Sequence, residues 1–130
     1  MAIEATTQIL HDGVRNAVIQ ITGRSTDGSG QETNAVKVDV SALNPPANRV
    51  AVRSMTYDVA DGSVTLSWAA DTPVTFAQLE FNDELEYCNI GGMQNGAEGR
   101  SGVNGDILLS TRDFVAGSVY TIIFDLKKKY

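Results

Sequence analysis

The amino-acid sequence predicts an all-β protein: an antiparallel β-sandwich, jelly-roll-like, with roughly eight or nine strands in one domain spanning residues 1–130. Three observations carry this. Short runs of alternating apolar and polar residues recur, separated by Gly, Pro, Asn and Asp clusters at intervals of about 8–12 residues. One such cluster, Asp61-Gly62, divides two runs whose apolar residues match across a two-residue turn. No amphipathic helical period of useful length appears. An immunoglobulin-like sandwich is the near alternative, although its Cys…Trp…Cys pattern is absent because Cys88 is the only cysteine.

Taken in order, Met1 to Leu10 is β-rich, with Ile3, Ala5, Thr7 and Ile9 on one side, and His11-Asp12-Gly13 turns the chain. Arg15 to Arg24 places Ala17, Ile19 and Ile21 on one face and Val18 and Gln20 on the other. Asp27 to Gly30 reads as a surface turn. Thr33 to Leu43 alternates cleanly, with Val36, Val38 and Val40 pointing one way, and Pro45-Pro46 ends it because proline cannot donate to a ladder. The next strand changes phase between Val50/Val52 and Met55/Tyr57/Val59, which predicts a bulge near Arg53.

A type I′ hairpin at Asp61-Gly62 would then pair Val59 with Val64, Tyr57 with Leu66 and Met55 with Trp68, all inward. That register makes Trp68, Tyr57 and Met55 core and not a carbohydrate platform. Val64 to Ala69 follows as a strand. Val74 to Phe81 comes next, apolar on both faces, and Asn82-Asp83-Glu84 reads as a turn. Tyr87 to Ile90 is a short strand, and Gly91 to Gly105 is a glycine-rich loop of the kind that is functional or ordered by a partner. Asp106 to Thr111 and Gly117 to Lys129 close the fold, the latter with Tyr120, Ile122, Phe124 and Leu126 inward.

The chemistry-bearing residues are sparse. A net charge of −6 disfavours nonspecific nucleic-acid binding, which needs a basic surface. One cysteine excludes an internal disulfide and a CxxC site, and one histidine, His11, is a poor start for a metal centre or a Ser-His-Asp triad. The expectation is no enzyme, no catalytic residues, no cofactor and no metal. Asn82, Asp83, Glu84 and Glu86, with Asn104-Gly105-Asp106, are hard oxygen donors for calcium but match no EF-hand loop. Lys127-Lys128-Lys129 reads as a tail for an acidic protein surface or for solubility. No signal peptide, membrane span or glycosylation sequon is apparent, so the expectation is a protein made and kept in a cytosol, with no membrane partner.

The stretches VIQITGRSTDGSGQETNAVKVDVSAL (18–43), TLSWAADTPV (65–74) and NGDILLSTRDFVAGSVYTIIFDLKKKY (104–130) together resemble small all-β virion structural proteins of tailed bacteriophages. The segment 82–88 departs most from that pattern. The resemblance implies a structural part of the phage particle, made in the bacterial host cytoplasm and located in the virion. A capsid decoration (cement) protein bound to the major capsid protein is the first expectation, and a tail, connector or fibre-associated component the second. A jelly-roll glycan-binding module is the rival class. Capsid local symmetry favours a homo-oligomer, a trimer first. Apolar residues on faces that a lone sandwich does not need nominate partner contacts. These are Ile3, Val74, Phe76, Tyr87 and Ile90, together with Met93, Val119, Ile123 and Tyr130.

Overall fold

Alternation of side chains builds seven strands in a computed structural model, which describes residues 3–26, 31–87, 92–97 and 99–129. They are β1 (Ile3–Asp12), β2 (Asn16–Ser25), β3 (Ala35–Val38), β4 (Arg49–Trp68), β5 (Val74–Glu86), β6 (Ile107–Arg112) and β7 (Val119–Lys129). All described pairings are antiparallel, in the order β1-β2-β7-β4-β6-β3, and β5 pairs with β4. β7 pairs with the first half of β4 and β6 with the second half, so β6 and β7 lie end to end along one side of it. The result is an antiparallel β-sandwich of jelly-roll-like form. One layer holds β1, β2, β7, the first half of β4 and the end of β5. The other holds β3, β6, the second half of β4 and the start of β5. Between them sits one buried cluster containing Ile19, Ile21, Met55, Ile122 and Phe124 from the first layer and Val64, Leu66, Trp68, Leu79 and Leu109 from the second.

The Asp61-Gly62 hairpin does not form. β4 runs straight through it, and Val59 pairs with Phe81 and Tyr120, whereas Val64 pairs with Leu79 and Thr111. A hairpin would have satisfied one edge of each half with the other. Continuing instead gives β4 a strand on both sides from Ser54 to Val59 and again from Val64 to Trp68, and the non-local pairing wins. Asp61-Gly62 becomes the crease between layers. On the β5 side residues 60–63 oppose Glu80 alone, and Asp61 (φ 60°), Phe81 (φ 64°) and Asp113 (φ 61°) all take left-handed conformations beside it. Gly62 is required there, because a Cβ would lie 2.4 Å from Cδ1 of the buried Phe114 ring. The inward set nonetheless matches the sequence expectation for Met55 and Trp68, both buried, while Tyr57 is half-buried against the core.

Other expectations meet mixed outcomes. The bulge at Arg53 is present, between the Val52–Leu126 and Ser54–Asp125 pairs. β2 and β7 present the inward faces expected of them. Three elements differ. His11 lies within β1 beside a register shift, not in a turn. β3 is only four residues long, with a bulge between Val36 and Val38. Asp39 then caps a 3-10 turn by accepting from Ser41 N at 3.0 Å, so Val36 is exposed while Val38 and Val40 are buried. β5 passes through Asn82-Asp83-Glu84, because pairing with Asp58, Tyr57 and Thr56 overrides their turn preference. The 27–30 turn and most of the 87–90 strand lie outside the described residues. Of the glycine-rich loop, Met93 bridges to Val52 and Ala97 enters the core.

Candidate protein-interaction surface

Most of the polar groups deepest in the fold are engaged in joining its parts, the Asn95 Nδ2 amide being an exception. Gln31-Glu32 runs between the layers, where the Tyr120 hydroxyl and the Lys37 ammonium each donate to Glu32 at 2.6 Å. Glu32 also exchanges bonds with Thr111, through its own N–H to Thr111 Oγ1 and its carbonyl from Thr111 N–H. Burial first, and then the bond to the Glu32 carboxylate, push the Tyr120 hydroxyl well above its ordinary pKa.

Lys128, in the basic run that read as a tail, is instead part of β7 and 4% exposed. Its ammonium donates to Asp12 at 2.5 Å and to the Pro45 carbonyl at 3.0 Å, and Asp12 also accepts from Asn44 N–H at 2.8 Å. Partial burial raises the Asp12 carboxyl, but these two partners outweigh it and hold the group below its ordinary value. The alternation that put Phe124 and Leu126 inward puts Lys128 inward too, and Asp12 neutralises it.

Among the oxygen-rich residues weighed for calcium, Asp106 is buried and accepts from Val40 N–H at 3.0 Å, and burial raises its carboxyl. Asn82, Asp83, Glu84 and Glu86 string along β5. Among the described residues, no group of three or more His, Cys, Asp and Glu side chains is placed to hold a metal.

Against a largely polar surface, strand edges and a few apolar side chains stand out. β1 pairs only with β2 among the described strands and is exposed from Glu4 to His11. Among the described strands β5 pairs only with β4, and it carries Glu80, Asp83, Glu84 and Glu86. Phe81, at the crease, is 77% exposed, and Ile9, Leu10, Val14 and Val115 are each about half exposed or more. A groove of about 500 Å³ lies on the outer face of the first layer. Its lining includes Thr56, Asp58, Asn82, Glu84 and Thr121, with Ile123 as an apolar member.

The residues nominated from sequence therefore divide. Val119 and Ile123 face outward from β7, Val119 exposed and Ile123 partly so. Ile3 is core, 3% exposed. Val74, Phe76, Tyr87 and Met93 are half-buried against the core. A register shift between Leu66 and Ser67 of β4 re-phases β5 near Phe76, so Val74 and Ala77 both reach the interior, and Phe76 stacks on Trp68 at 4.3 Å between centroids. Ile90 and Tyr130 lie outside the described residues. Phe81 and Leu10 were missed: Phe81 alternates with Leu79 in sequence, and only its left-handed backbone turns it out.

No family model matches the chain, and no curated protein matches it. Among solved structures, it is similar to a cupin domain from Bordetella pertussis Tohama I, at 12% identity and a TM-score of 0.35, covering 93% of this chain and 92% of that one.

Proposed function

We propose that the chain is a bacteriophage virion structural protein, a capsid decoration (cement) protein that stabilises the head shell through protein–protein contacts. The observation that carries the proposal is the division of the surface just described. Inward polar groups such as Glu32 and Lys128 close bonds within the fold, while a free strand edge and exposed apolar side chains at Ile9, Leu10 and Phe81 are left available. The resemblance of residues 18–43, 65–74 and 104–130 to phage virion proteins supports the same reading. Such a protein acts by adding buried area across subunit boundaries, so particle stability follows its occupancy by mass action.

Particles assembled without the protein are expected to lose heat or pressure resistance while keeping their tails. Normal heads with missing tails or lost adsorption would refute head decoration and assign a tail, connector or fibre role. The groove around Ile123, with hydroxyl, amide and carboxylate groups at its rim, favours a second reading as a glycan-binding module. Binding on a glycan array, abolished by Asp58→Ala, is the outcome expected of that reading; silence on the array removes it.

A further inference from the structure

We propose that the free edge of β1 is a self-association site, at which two copies of this chain pair β1 with β1, antiparallel, about a two-fold axis normal to the layer. The inference goes beyond the virion reading and does not depend on it.

A strand edge is a row of unpaired N–H and C=O groups, and proteins guard such edges with charge, proline or distortion. β5, the other long edge, is guarded: it carries Glu80, Asp83, Glu84 and Glu86 and is kinked at Phe81. β1 is not. From Ala5 to Leu10 it holds no charge, proline or glycine, and the register shift after Ile9 leaves Glu4 to Ile9 regular. β1 also overhangs the second layer. Ala5, Thr7 and Ile9 share the inward side with Ile3, yet they are exposed, whereas their partners Ile19 and Ile21 on β2 are buried.

Charge and symmetry select the occupant. A two-fold axis normal to the layer keeps inward faces together, so the two overhangs join into one apolar strip. Antiparallel pairing brings Glu4 of each copy toward the Leu10-His11 end of the other, and no acid meets an acid. Pairing β1 with β5 would set Glu4 along a row of carboxylates, and β5 with β5 would oppose two such rows. The contact is two-fold, in contrast to the three-fold expectation from shell symmetry. One strand pair and its strip lie at the low end of interface sizes, so association falls in roughly the 1–100 µM range.

Sedimentation velocity of the full chain from about 0.1 to 500 µM, a span set to bracket that range, should show the mass rising from 13.9 kDa to twice that value. Thr7→Lys and Ile9→Lys alter exposed side chains, so each should keep the native circular dichroism and weaken association at least about tenfold. Glu84→Gln, on β5, should leave the mass unchanged. Hydrogen exchange on the unmodified chain should show β1 amides slowing as concentration rises. A 13.9 kDa species throughout, a three-copy mass, indifference to both lysines, or concentration-independent β1 exchange would each overturn the proposal.

Discussion

Replacing Gly62 with alanine probes the crease most directly. A Cβ at this position falls 2.4 Å from Cδ1 and 2.8 Å from Cε1 of Phe114, and 3.0 Å from the Arg112 carbonyl. Carbon–carbon contact lies at about 3.5–4.0 Å, so the ring must retreat by roughly 1 Å. Phe114 is 2% exposed and has little room to do so. Overpacking of this kind costs about 1–3 kcal/mol, and Phe114→Ala alone about 3–5 kcal/mol. With the ring removed, most of the clash is gone, so the double variant should be more stable than the sum of the single effects predicts, by about 1–2 kcal/mol. Urea unfolding followed by the fluorescence of Trp68, the only tryptophan and buried against Phe76, gives all four stabilities. If Gly62→Ala is neutral, or if the two substitutions add, Phe114 does not pack on the crease as described. A hairpin turn at Asp61-Gly62 would give additivity, since nothing in a turn would couple it to Phe114.

Lys128→Ala should cost about 1.5–3 kcal/mol by removing the charge-assisted bond to the partly buried Asp12. The Asp12 carboxyl is held below its ordinary 3.8 in the fold, so its contribution is whole above about that pH and is lost as pH falls through the lower folded value. Asp12→Asn should therefore flatten the acid limb of stability against pH, and an unchanged limb would discount the pair. Tyr120 has the opposite dependence: its raised pKa means stability is intact below its ordinary 10.0 and declines as pH rises above it. Tyr120→Phe should lower stability by about 1–3 kcal/mol at neutral pH and shallow the alkaline decline, as measured by urea midpoints at pH 8 to 11. Phe81→Ser should change stability by no more than about 0.5 kcal/mol, since the side chain is 77% exposed. The same substitution should reduce co-sedimentation with phage heads; full retention would remove Phe81 from the proposed contact.

Sequence legibility followed the range of the interactions involved. The inward faces of β2 and β7 were readable because a two-residue period belongs to each strand alone, whatever its neighbour. For the same reason Met55 and Trp68 were correctly placed inside although their pairing was not: facing depends on parity, and partners do not. The Arg53 bulge was visible as a phase change within one strand.

What the chain's local chemistry left open was settled by non-local competition. Asp61-Gly62 has turn propensity, yet strands flanking both sides of β4 before and after it outweigh one tight hairpin, and the same pairing draws Asn82-Asp83-Glu84 into β5. The buried Lys128 found its partner in Asp12, 116 residues earlier, which no local pattern announces. The exposure of Ile9 depends on how far the second layer extends beneath the first, and Leu10 lies at the register shift of β1. Composition and periodicity therefore sufficed for the class of fold and most of its core. Which apolar residues were left on the surface emerged only once the layers had closed and their unequal widths had left β1 uncovered.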